Sequence, residues 1–221
     1  MTLSATVELL IATHNQGKLC EVHDALHSLP VKFRYLSEFP HLSLVEEIGT
    51  TYEENAVLKA LSYARQTGLC ALADDSGLEV DALGGGPGVH SARFGGEGLS
   101  DRGRIQELLA KLSEEPSKGR DARFVCCIAL AGWQGAAGRR QVLAPEAKEP
   151  RLLTLTEAKC EGSITLQPQG TNGFGFDPVF LPKGHSATFG ELPNEVKAKI
   201  SHRAQALAAI RTFLSYQIPQ T

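Results

Sequence analysis

Two adjacent carboxylates, Asp74 and Asp75, follow the apolar run LCALA and precede Ser76-Gly77. Neighbouring carboxylates repel unless a proton or a cation neutralises one of them. Mg2+ suits such a pair, because it takes carboxylate and phosphate oxygens while keeping some of its waters. Glu46 and Glu47, in LVEEIG, offer further oxygens for a metal shell. Without a ligand, the same residues are a turn-capping aspartate beside solvated acids. A second stretch, GTNGFGFDPVF (170–180), interleaves glycines, aromatics and an acid. Gly170, Gly173 and Gly175 allow close backbone approach or positive φ. Phe174 and Phe176 supply flat apolar faces for a planar base, unless they simply enter the core. Asp177 can accept hydrogen bonds from a base edge.

Positive charge recurs in two places. In EVKAKISHRAQAL (195–207), Lys197, His202 and Arg203 surround a helix start, where free N–H groups already favour anions. Arginine can also grip phosphate oxygens through two parallel hydrogen bonds. In THNQGK (13–18), Lys18 follows a glycine, as in a phosphate loop. The Walker pattern G-x-x-x-x-G-K-[ST] is excluded, because Ala12 stands five residues before Gly17 and Leu19 follows Lys18. What remains is a strand–turn–helix with Asn15 and Lys18 at its mouth. His90 and His185 have no partner at zinc-ligand spacing.

The elements that must position these residues alternate, which predicts an α/β architecture. VELLIAT reads as a buried strand, Asn15-Gln16-Gly17 as a turn, and Leu19, Val22, Leu26 and Leu29 recur at helical spacing. VKFRYL is a second strand. Thr51 and Glu54 form a capping box for the helix YEENAVLKALSYARQT, which Gly68 should stop. LCALA is expected to be a short strand ending at the acid pair. Residues 84–96 are too glycine-rich for regular structure. Ser100 can cap DRGRIQELLAKL. ARFVCCIALAGW and LLTLTEAKCEGSITLQP read as strands, the latter long or bent, with an irregular excursion at 134–150 between them. GELPNEVKAKI and HRAQALAAIRTFLSYQ, the latter capped by Ser201, are the final helices.

The chain of 221 residues suits one large domain or two closely joined lobes. A net charge of −3 lacks the basic imprint of a nucleic-acid partner. Five cysteines without a C-x-x-C pair predict reduced thiols in the cytoplasm. The short run VELLIA, with no basic segment before it, predicts neither a signal peptide nor a membrane span.

Five segments, THNQGK, EEIGTTYEENAVLKA, ADDSGLEVDALGGGPGVHSARF, PQGTNGFGFDPVF and EVKAKISHRAQAL, occur in an order that resembles one family. It is the inosine/xanthosine triphosphate pyrophosphatases, the HAM1-like, non-canonical purine nucleoside triphosphate pyrophosphatases. The likeness runs from about Leu9 to the last helix. It implies one domain over 1–221 with an elongated, two-lobed α/β fold, the nucleotide lying in a cleft between lobes around a mixed sheet, and a homodimer. It also implies Mg2+-dependent hydrolysis of inosine, deoxyinosine and xanthosine triphosphates to the monophosphate and pyrophosphate. By this resemblance, Thr13, His14, Asn15, Gln16, Gly17 and Lys18 form the phosphate turn. Asp75 is the catalytic carboxylate and Ser76 a substrate contact. Asp74 and Glu46 join Asp75 in the metal shell, with Glu47 a close rival to Glu46. Phe174, Gly175, Phe176 and Asp177 match the base-binding stretch, and Lys197, His202 and Arg203 the contacts that close over the ligand. This chain departs from the family at His14, where glycine is usual, and at Phe176, where tyrosine is usual. The competing readings are a Maf-like pyrophosphatase for other modified or pyrimidine triphosphates, and a nucleotide-binding module without catalysis.

Overall fold

β1 (Val7–Ile11) is parallel to β2 (Val31–Tyr35) and to β3 (Cys70–Val80), an arrangement that requires helical crossovers. α1 (Gln16–Leu26) supplies the first, and its Asn15 cap accepts the Lys18 N–H. α2 (Tyr52–Thr67) supplies the second. Its expected capping box is present, and Gly68 ends it in the left-handed region at φ 70°. The described residues, in a computed structural model, are 7–133 and 149–217. Residues 134–148 of the expected excursion lie outside them.

α2 buries Tyr52, Ala56, Ala60, Tyr63 and Ala64, an i, i+3, i+4, i+7 stripe that also contains Asn55 and Lys59. Two polar side chains on such a stripe need partners, and both find them in the site described below.

The remaining elements are α3 (Asp101–Ser113), β4 (Asp121–Gly132), β5 (Arg151–Ile164), β6 (Phe180–Pro182), α4 (Asn194–Ile200) and α5 (His202–Gln217). Ser100 caps α3 through the Gly103 N–H, and Ser201 receives the Ala204 N–H at the start of α5. β6 is antiparallel to β5, so the six-stranded sheet, ordered β2-β1-β3-β4-β5-β6, is mixed as expected.

β3 corrects the expectation of a short strand. It runs on through Asp74, Asp75, Ser76 and Gly77 to Val80. Buried charges need partners, and here lysines neutralise the acid pair inside the protein. The 84–96 segment is also more ordered than its composition suggests. A 3-10 turn spans Gly88–Arg93, and Ser91 Oγ accepts the Leu78 N–H while donating to Gly88 O.

The chain divides into two compact units, each assembled from separate segments. Among the described residues, the first comprises 7–75, 127–133, 149–157 and 206–217, and the second 76–126 and 158–205. Within the second, Leu78, Val80, Ile105, Leu108, Phe124, Phe176, Val179, Phe180 and Phe189 form a buried apolar cluster. No helix among the described residues is long and apolar enough to cross a membrane.

The thiols fall into two classes. Cys20 is exposed, whereas Cys70, Cys126, Cys127 and Cys160 are buried. Burial pushes the Cys70 thiol up to about 12, and those of Cys127 and Cys160 to about 11. The thiolate is the reactive form. With a thiol reagent at pH 8, native protein should therefore give one rapid equivalent, from Cys20, and the other four should appear only on denaturation. Loss of the rapid phase in Cys20→Ser identifies it.

Candidate active site

In the first unit, the carboxylates of β3 are held by lysines from two helices. The two acids take different nearest partners, although both act on the Lys59 ammonium. Asp74 Oδ2 is 3.0 Å from Lys18 Nζ, at the start of α1. Asp75 Oδ1 is 3.5 Å from Lys59 Nζ, which also lies 2.6 Å from Glu47 Oε1. Asn55 Nδ2 donates to Asp75 Oδ2 at 3.1 Å, while Asn55 Oδ1 accepts the Gly49 N–H at 2.8 Å. One buried amide thus ties the loop carrying Glu47 to Asp75.

Burial pushes the Asp75 carboxyl above the ordinary carboxylate range. Lys59 pulls it back, nearby Glu47 pushes it further up, and Lys18 and the Asn55 bond oppose the rise. For Lys59, burial alone would lower the ammonium, but Asp75, Asp74 and Glu47 together hold it above the usual lysine value. A carboxylate with a raised pKa is a stronger proton acceptor, which is what activation of a water requires.

Of the two rival glutamates, Glu47 joins this cluster and Glu46 is exposed. The buried Lys59 ammonium needs counter-charge, and Glu47 supplies it. Asp74, Asp75 and Glu47 offer all-oxygen donors, the kind a hard divalent cation prefers. They do not converge as they stand: among the described residues, no group of three or more His, Cys, Asp or Glu is placed to hold a metal. The lysine ammonium groups hold the carboxylates instead.

The turn before α1 is built from its own hydrogen bonds. Thr13 Oγ1 accepts the Asn15 N–H at 3.2 Å, and the Asn15 side chain is occupied as the helix cap. His14, Asn15 and Gln16 are exposed, and Gly17 and Lys18 are half-buried. The free N–H groups of a helix's first turn and the Lys18 ammonium together make this end suited to an anion.

In the second unit, a buried guanidinium and a buried ammonium lie against one aromatic ring. Arg203 donates to Ser76 Oγ at 2.7 Å. Its Cζ is 5.7 Å from the centre of the Phe174 ring, and Lys197 Nζ is 4.7 Å from it. Asp177 Oδ2 accepts from Lys197 Nζ at 2.5 Å and from the Phe174 N–H at 2.8 Å. Gly173 permits this clamp, since at φ 74° a Cβ there would lie 2.0 Å from Asp177 Oδ2. His202 is buried and stacks on Phe124, with ring centres 4.7 Å apart.

Two expectations for the base-binding stretch change. Phe176 is buried in the apolar cluster, edge-on to Phe94, so half-buried Phe174 alone of the pair presents a ring at the loop surface. Phenylalanine in place of the usual tyrosine fits that apolar setting, which leaves no hydroxyl to satisfy. Asp177 holds its own loop and Lys197 together. Sequence reasoning also missed Lys59 and Asn55. Their signal was positional, a cation and an amide on the buried stripe of α2.

A sequence model of the Ham1 family matches residues 9–213. The chain belongs to the Ham1 family. A Geobacter sulfurreducens dITP/XTP pyrophosphatase is 44% identical over 209 residues, 95% of this chain and 97% of its own. A Syntrophobacter fumaroxidans dITP/XTP pyrophosphatase is 46% identical, over 92% of this chain and 80% of its own. Among solved structures, a HAM1 protein from Coxiella burnetii superimposes with a TM-score of 0.80 at 39% identity, covering 95% of this chain and 99% of its own. The Ham1 protein of Staphylococcus aureus gives 0.77 at 36% identity, over 94% and 98%.

The ion-pair cluster yields a stability prediction. Lys59→Met leaves Asp75 and Glu47 without their shared cation, and breaking a buried pair from one side should cost about 3 kcal/mol. Adding Glu47→Gln should recover part of that loss. Urea unfolding of the single and double variants measures both.

Proposed function

We propose that this chain is a nucleoside triphosphate pyrophosphatase that hydrolyses non-canonical purine nucleotides, ITP, dITP and XTP, to the monophosphate and pyrophosphate. The observation that carries this reading is a buried, lysine-neutralised acid pair beside a helix N-terminus in a Ham1-family chain. The relatives named as dITP/XTP pyrophosphatases support the substrate class.

Asp75 accepts the proton of a water that attacks the α-phosphorus. Lys18 and Lys59 exchange their carboxylate partners for phosphate oxygens and stabilise charge on the leaving pyrophosphate. Asp74, Asp75 and Glu47 are the residues that would hold Mg2+, which when bound neutralises triphosphate oxygens. The Phe174 ring provides the apolar face for the base. Arg203 and His202 are the candidate donors to a 6-keto oxygen. Adenine presents an amino group at that position, and two donors facing each other in a buried site are costly.

The reduced-thiol composition supports a cytoplasmic enzyme. The homodimer rests on the family resemblance.

The test is pyrophosphate release from inosine, deoxyinosine, xanthosine, adenosine and deoxythymidine triphosphates, with and without Mg2+. The keto-purines should be hydrolysed fastest, and only with the metal. Asp75→Asn should lower kcat by about a hundred- to ten-thousand-fold while the fold survives. An Asp75→Asn variant of near wild-type activity would remove Asp75 from the chemistry.

A further inference from the structure

We propose that Asp101 is a positioning residue for the base-recognition loop, fixing the peptide between Phe174 and Gly175 and so setting how tightly the purine is held. The inference rests on the reading of Phe174 as the face for the base.

Asp101 is the first residue of α3, where an acid ordinarily serves as a favourable charge at the helix's positive end. Here each carboxylate oxygen has a specific partner. Oδ2 accepts the Gly175 N–H at 2.7 Å, across 74 positions of chain. Oδ1 is paired with Arg104. Arg104 in turn donates to Ala92 O at 3.1 Å and to Leu99 O at 2.5 Å. The guanidinium is thereby anchored on the 88–93 turn and on the residue before the Ser100 cap, and it keeps the carboxylate in one orientation.

The amide on the other side of Phe174 is held in the same way, by Asp177 Oδ2. The two N–H groups flanking this residue therefore each meet a charged acceptor, and charge-assisted bonds are the stronger kind. The loop needs them. Gly173 and Gly175 have φ of 74° and 61°, and glycine passes readily between such conformations. With Asp101 removed, the 174–175 peptide loses its external acceptor and can rotate, carrying the Phe174 ring away from Lys197 and Arg203. The bond formed by the carboxylate lies outside the reacting groups, so its loss should appear in binding and selectivity rather than in the chemical step.

Asp101→Ala is compared with Ser100→Ala, which removes the cap of the same helix but leaves the Gly175 bond in place. Hydrogen exchange across residues 170–180 reads the clamp without reference to activity. Steady-state kinetics on inosine and adenosine triphosphates read its consequence. Asp101→Ala should speed exchange in that segment, raise KM for inosine triphosphate about ten-fold with kcat within about two-fold, and reduce the preference over adenosine triphosphate about ten-fold. Ser100→Ala should do none of these.

If Asp101→Ala matches Ser100→Ala in exchange and kinetics, the residue is a helix-end acid and the proposal is overturned. Faster exchange with unchanged KM also overturns it, because the clamp would then have no bearing on the base. A kcat loss matching the kcat/KM loss contradicts it too. Wild-type protein inactive on every purine triphosphate would instead sink the functional reading, while the exchange arm still reported on the clamp.

Discussion

Asp74 and Asp75 are 2% and 5% exposed, adjacent in a strand that runs on past them, and their charge must be neutralised within the protein. That requirement organises the first unit. Lys18 must stand in the first turn of α1, after β1, and Lys59 must occupy the buried stripe of α2. Glu47 must then come to Lys59, because one ammonium serves two carboxylates. Asn55 closes the arrangement by holding the Glu47 loop through Gly49 and Asp75 through its amide. Such a cluster is held by mutual compensation, so a ligand that brings its own negative charge and a divalent cation can replace every partner at once. In the proposed reaction the lysines would turn to phosphate oxygens while the carboxylates would hold Mg2+.

The second unit solves a similar problem with different means. Asp177 and Lys197 are both buried and satisfy each other, and the acid also fixes the backbone of the loop it belongs to. Arg203 is buried against Ser76 and the Phe174 ring. Its fork geometry and permanent charge make it suited to reading a fixed acceptor, where a flexible lysine would discriminate less. The two units are covalently continuous at Asp75-Ser76, so the residue proposed for chemistry and a partner of the guanidinium proposed for base selection are neighbours in sequence.

Features governed by local hydrogen bonding were legible in the sequence. The Thr51–Glu54 box, the Gly68 stop and the Ser100 and Ser201 caps all depend on residues a few positions apart. Features that depend on distant partners were not. Nothing local in the sequence announces that Lys18 and Lys59 will neutralise the acid pair, so the strand reads as ending there. Glu46 and Glu47 were indistinguishable because the loop that carries them has no period. Phe174 and Phe176 alternate in sequence, and only the packing of Phe94 and its neighbours decides which ring is buried. The interleaving of the two units along the chain likewise leaves no linker to read.

In the proposed reaction the acid cluster directs water to the α-phosphorus, and the lysines retain the departing pyrophosphate. Hydrolysis of inosine triphosphate in 18O-labelled water, followed by mass spectrometry of both products, tests it most directly. Attack at the α-phosphorus should leave one labelled oxygen in the monophosphate and none in pyrophosphate. Label in pyrophosphate, or release of inorganic phosphate as the first product, would contradict it.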